Sequence, residues 1–158
     1  MAGGTSIQDL YPADFAHCYG CGRLNAHGLH IQTEWTGTEG VARFRPRDEH
    51  IAIPGFVYGG LIASLIDCHA IGTAAAASMQ AAGESPGVDL SPRFVTAALE
   101  VQFLAPTPLG CDLVLRATPV EVGARKVIVT VSVRAGEVET ARGRVVAAPI
   151  PASMLPRG

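Results

Sequence analysis

Residues 55–82 read GFVYGGLIASLIDCHAIGTAAAASMQAA, and this stretch decides the fold. From about Leu61 to Ala82 it is apolar on every side: Leu61, Ile62, Leu65, Ile66, Ile71, Ala74 to Ala77 and Met79 leave no polar face. A helix apolar all round belongs in the centre of a fold. Its length alone would also suit a membrane span. Asp67 and His69 inside the run, and the lack of basic residues beside it, point instead to the buried helix of a soluble protein, with no membrane partner.

Working outward, the segments on both sides alternate like strands. Before the helix, Leu29, Ile31, Thr33 and Trp35 alternate with His30, Gln32 and Glu34. Thr36 to Gly40 reads as a hairpin turn, Val41 to Arg45 as the return strand, and Pro46 ends the pairing. His50 to Gly60 is a loop. After the helix, residues 83–94 read as a loop, and four strands follow. Leu99, Val101 and Phe103 mark the first, and Cys111, Leu113 and Leu115 the second. Val127, Val129, Val131 and Val133 mark the third, and Val138 to Ala148 forms the last. Gly136 sits in the tight turn between the last two. Two strands, one buried helix, then four strands predict an α+β domain, an antiparallel sheet wrapped around one long central helix. Residues 1–16 read as an N-terminal arm, 17–150 as the domain and 151–158 as a tail.

The chain has 158 residues, 48% hydrophobic and 16% charged, enough for one domain with a substantial core. A net charge of −2 without a dense Lys/Arg run argues against a nucleic-acid partner. The first residues lack a basic start followed by an apolar stretch, so no secretory signal is read. The four cysteines, Cys18, Cys21, Cys68 and Cys111, do not make a disulfide framework, and a cytoplasmic location is expected.

Chemistry concentrates where Gly59 and Gly60 open the helix and Asp67 follows two turns later. The first turn of a helix carries N–H groups with no internal partner and a partial positive charge. Glycine there lets a ligand approach the backbone. A thioester carbonyl at that point would be polarised and its oxyanion stabilised. Asp67 is costly to bury unless it is paired or functional. Its helical neighbours Gly60, Ala63, Ser64, Ala70 and Ala74 are small, which leaves room for a ligand or a partner helix. The carboxylate is either a nucleophile or a base for water, or a structural group bonded to a nearby hydroxyl such as Ser64.

Four segments in order resemble one family. Tyr58-Gly-Gly followed by Asp67 resembles the His-Gly-Gly-x6-Asp signature of hotdog thioesterases of the PaaI-like and THEM-like group. Cys18-Tyr-Gly-Cys-Gly-Arg-Leu-Asn-Ala-His-Gly-Leu29 resembles its opening segment, and His50 to Val57 the loop before the signature. Thr96-Ala-Ala-Leu-Glu-Val-Gln-Phe-Leu-Ala-Pro106 resembles its Thr-Ala-x-Leu-x-Val-x-Phe-x-x-Pro strand. The resemblance implies a hotdog fold and hydrolysis of an acyl-CoA thioester to a carboxylic acid and CoA. Asp67 would be nucleophile or general base, the Gly59 N–H would hold the thioester oxygen, and Thr96 would help position the attacking water. It also implies a homodimer or homotetramer with sites between protomers, Asp67 facing Gly59 of the partner chain. Expected substrate-binding residues are Gly60, His50, Ser64 and Phe56. No cofactor is expected beyond the CoA of the substrate. Tyr58 replaces the signature His; it keeps a donor, but its hydroxyl reaches farther. That leaves two rivals, a non-catalytic acyl-CoA-binding protein and a hotdog hydratase or dehydratase. The second normally pairs a carboxylate with a His.

Other residues carry less. His17, Cys18, Cys21 and His27 supply four zinc ligands on paper, but a short motif without a second Cys-x2-Cys pair reads better as a structural loop, so no metal is expected. His69 lies two residues after Asp67, on another side of the helix, and reads as a buried, hydrogen-bonded His. Arg93, Arg125 and Lys126 are candidates for CoA phosphates. The absence of Gly-x-Ser-x-Gly and of Gly-x-Gly-x-x-Gly argues against an α/β-hydrolase and against nicotinamide binding.

Overall fold

The apolar run forms helix α1, Gly59–Ala81, in the computed structural model, which describes residues 4–87 and 94–157. Tyr58 is extended (φ −61°, ψ 129°) and marks the N-cap, so Gly59 and Gly60 are the first two helical residues. Six strands surround the helix: β1 (Glu34–Trp35), β2 (Gly40–Phe44), β3 (Phe94–Phe103), β4 (Leu113–Val122), β5 (Val127–Ala135) and β6 (Val138–Pro149). They form one antiparallel sheet in the order β1-β2-β4-β5-β6-β3. α1 packs against β2 through β6, and the result is a hotdog fold.

The core follows from the period-2 pattern. Val127, Val129, Val131 and Val133 of β5 are buried, as are Leu113, Leu115 and Ala117 of β4 and Ala141, Val145 and Ala147 of β6. They meet Leu65, Ile66, Ala70 and Ala74 to Ala76 of α1, which are fully buried. The helix lies tight against the sheet at Gly143 of β6, where a Cβ would overlap the Ile66 side chain, and at Gly40 of β2, where it would overlap Thr73. Among the described residues α1 is the one helix long and apolar enough to cross a membrane, and the sheet covers it: it is a core helix.

Two segments differ from the sequence expectation. The strand expected from Leu29 is regular only at Glu34–Trp35. The alternation survives as burial, with Leu29, Ile31 and Thr33 inside and His30, Gln32 and Glu34 outside. The backbone of this segment is satisfied elsewhere. The Leu29 N–H donates to Tyr19 O (2.8 Å), Ile31 N–H to Gly20 O (3.1 Å), and Thr33 O accepts from Ile7 N–H (2.9 Å). The segment also expected to start at Cys111 begins as a strand only at Leu113, because Gly110 (φ 83°) and the residues after it complete a turn.

The arm is part of the core. Ile7 and Tyr11 are each 2% exposed, and Ile7–Leu10 forms a short 3-10 helix capped by Ser6. Gln8 reaches inward to start a buried chain of polar contacts. Its Nε2 donates to Thr33 Oγ1 (3.0 Å), Thr33 Oγ1 donates to His69 Nδ1 (2.9 Å), and His69 Nε2 donates to Gly40 O (3.1 Å). His69 is therefore the buried, bonded His expected, and burial pushes its pKa down to about 4.

Candidate active site

Between Gly60 and Ala77, burial on α1 is complete except along one stripe. Gly60, Ala63, Ser64, Asp67 and Cys68 are only partly covered, and they recur at the spacing of one helix face. The small side chains expected around Asp67 thus split into two groups. Ala70 and Ala74 pack into the core, whereas Gly60, Ala63 and Ser64 line the open stripe.

Asp67 is held from β3. The Thr96 hydroxyl donates to Asp67 Oδ1 at 2.5 Å. The β3–β6 register shifts between Thr96 and Ala98, so a bulge sits at the residue beside Thr96. Bulges of this kind re-aim side chains next to active sites. The carboxyl is pushed above its usual range, chiefly by burial, with the charge of Cys18 adding and the Thr96 hydroxyl opposing. Asp67 and Thr96 line a small cavity of about 170 Å³ with Cys18, Cys21, Cys68 and Phe94.

The helix start lies at the other end of β3. Among the described residues the N–H groups of Gly59 and Gly60 have no hydrogen-bond partner, and the next two, of Leu61 and Ile62, donate to Tyr58 O. A Cβ on Gly59 would lie 3.2 Å from Phe103 Cζ. Gly59, Phe56, Ile53, Ile62, Phe103 and Leu104 help line an apolar cavity of about 460 Å³. A Cβ on Gly60 would fall on the Tyr58 ring, which is folded over that glycine. Tyr58 is 57% exposed, its side chain makes no cap bond, and its N–H donates to His50 O (2.8 Å).

The remaining expected residues sort as follows. Phe56 lies in the apolar cavity with Gly59. His50 braces the loop: its Nδ1 accepts from the Arg47 N–H (3.0 Å) and its ring lies 5.9 Å from Phe44. Ser64 is on the open stripe, but its hydroxyl donates to Gly60 O (2.8 Å) rather than to Asp67. Arg125 is exposed, Lys126 pairs with Glu121 at 3.7 Å, and Arg93 lies outside the described residues. His17 and His27 are exposed and stand apart from the cysteines. Sequence reasoning missed Cys68 beside Cys18 and Cys21, because no spacing rule joins residues so far apart in the chain. It also missed Phe103 and Leu104 beside Gly59, where the alternation of a strand says nothing of which helix end the strand meets.

Fold and site together define a hotdog domain that presents a carboxylate and an unpartnered helix start along one open edge. The chain belongs to the thioesterase superfamily, whose family model matches residues 54–142. A thioesterase superfamily protein from Shewanella loihica PV-4 is 42% identical, with 89% of this chain and 100% of that one aligned at a TM-score of 0.67. Two more distant structures share the fold. Protein smu.793 of Streptococcus mutans UA159, bound to acetyl CoA, is 17% identical over 76% of this chain and 88% of its own (TM-score 0.62). Thioesterase HI1161 of Haemophilus influenzae is 17% identical over 77% and 79% (TM-score 0.62). No curated protein matches this chain.

Proposed function

We propose that the protein is a cytoplasmic acyl-CoA thioesterase whose sites form between two copies of the chain. One observation carries this reading: Asp67 and the free N–H of Gly59 lie at opposite ends of the same open helix stripe. Eight residues of helix separate them, about 12 Å of axial rise. That is too far for both to touch one thioester carbonyl. A second copy removes the difficulty. β3 is an edge strand of the sheet, with exposed Leu99 and Phe103 on it. An open apolar edge invites strand pairing. An antiparallel β3–β3 pairing centred midway between Thr96 and Phe103 sets Thr96 and Asp67 opposite the partner's Phe103 and Gly59.

In that site the partner's Gly59 N–H holds the thioester oxygen. Preorganised donors of this kind stabilise the oxyanion as it forms. Thr96 fixes one oxygen of Asp67, and the other attacks the acyl carbon or takes a proton from the attacking water. When Asp67 acts as base, water adds to the acyl carbon, the C–S bond breaks, and the proton taken from water passes to the CoA thiolate. When Asp67 attacks, the C–S bond breaks to leave an acyl anhydride on Asp67, which water then hydrolyses to the carboxylic acid, restoring the carboxylate and supplying the thiol proton. No metal or redox cofactor enters this step. The acetyl-CoA-bound relative supports a CoA thioester. The cavity beside Gly59, walled by Phe56, Ile53, Phe103 and Leu104, favours an apolar or aromatic acyl group. The hydratase reading loses support, since among the described residues no His lines the Asp67 cavity and both ring nitrogens of His69 are engaged.

The test is CoA release from short, long and aromatic acyl-CoAs, with Tyr58→His beside the native chain. Turnover by the native chain supports the proposal, and the panel ranks the acyl groups. A native chain silent on every thioester, with activity gained only in Tyr58→His, makes it an acyl-CoA binder instead.

A further inference from the structure

The side chains of Cys18, Cys21 and Cys68 meet, their sulfurs all within 4.8 Å of one another, with Cys18 Sγ 3.8 Å from Cys68 Sγ. Two thiolates on one tetrahedral zinc, each at about 2.3 Å, stand about 3.8 Å apart. We propose that these three cysteines form a binding site for one zinc ion, which pins the N-terminal loop to the helical turn that carries Asp67.

The surroundings are built for thiolates. Gly20 leaves the room that Cys68 Sγ occupies, since a Cβ there would overlap that sulfur. Cys21 is buried, and Cys18 and Cys68 are half-covered, facing the cavity of about 170 Å³. All three cysteines line that cavity, which has room for a water as the fourth ligand. The proposed site differs from the zinc reading of the loop alone: its third ligand is Cys68 on α1, and neither His17 nor His27 joins the cluster. None of the four cysteines is in a disulfide, so none competes for the sulfurs.

The inference does not depend on the enzymatic reading, and its test does not read activity. The full chain, purified under a phosphine reductant, is loaded with zinc, desalted and assayed for metal, then exchanged with cobalt(II). One metal per protomer is expected, with the sulfur-to-cobalt charge-transfer absorption and strong visible bands of tetrahedral thiolate cobalt. Cys18→Ser, Cys21→Ser and Cys68→Ser each lose the tightly held metal, while Cys111→Ser keeps it. If a serine variant does not fold, the cobalt spectrum of the native chain decides alone. Native protein that retains less than a tenth of an equivalent after desalting, or gives a cobalt spectrum without sulfur bands, overturns the proposal. So does metal that depends on Cys111.

Discussion

Replacing Gly59 by proline removes one N–H and little else. Gly59 is the first residue of α1, where proline is accepted because its missing N–H has no intrahelical partner. Tyr58 before it is already extended, as a residue preceding proline must be. The added Cβ meets only the outer edge of the Phe103 ring, which is 57% exposed and free to shift. If the Gly59 N–H holds the oxyanion, its loss lowers kcat by about 10²–10³-fold. Asp67→Asn inactivates the other half of the same site. With sites shared between protomers, a heterodimer of the two variants has one site with both parts intact and one with neither. Isolated through two different affinity tags, that heterodimer recovers about half the activity of the native dimer, as two-fold symmetry requires. CoA release measures it. A heterodimer no more active than the two variant homodimers refutes the argument from the length of α1.

Three further outcomes follow from the geometry. Thr96→Val keeps the shape of the strand but removes the hydroxyl on Asp67 Oδ1; a bond to a charged group is worth about 1.5–3 kcal/mol, so kcat falls about tenfold to a hundredfold with KM little changed. His69→Leu leaves Gly40 O without its donor and breaks the chain from Gln8; urea denaturation then shows a loss of about 1–3 kcal/mol, the range for a stranded buried polar group. Gly143→Ala drives a methyl into Ile66 at a tight helix–sheet contact, and the same denaturation registers about 1–3 kcal/mol of overpacking.

Much of this architecture is readable from residue order. The apolar run from Leu61, with Asp67 and His69 inside it, belongs in a core, and the Val127-to-Val133 alternation lines it, so helix, strands and sheet class follow from local periodicity. The segment at Leu29 shows where periodicity stops: its side chains alternate as read, but its hydrogen bonds go to Tyr19, Gly20 and Ile7 rather than to a regular ladder. Pairing partners depend on the rest of the chain, which local pattern does not see. The site divides in the same way. Asp67 stands out as a carboxylate in an apolar helix, and Thr96 enters by resemblance to a family strand. The hydroxyl–carboxylate bond between them needs the bulge in β3, and the three-sulfur cluster needs a loop and a helix brought together by the fold.

The central claim is that Asp67 does the chemistry, and Asp67→Asn tests it most directly. The variant keeps the size of the side chain and an acceptor for Thr96. Steady-state CoA release is measured for native and variant chains on the best substrate of the panel, with circular dichroism confirming that both are folded. The account predicts that kcat falls about a hundredfold or more, within the range for a lost acid–base group. A folded Asp67→Asn protein that turns over within a few-fold of the native chain contradicts it.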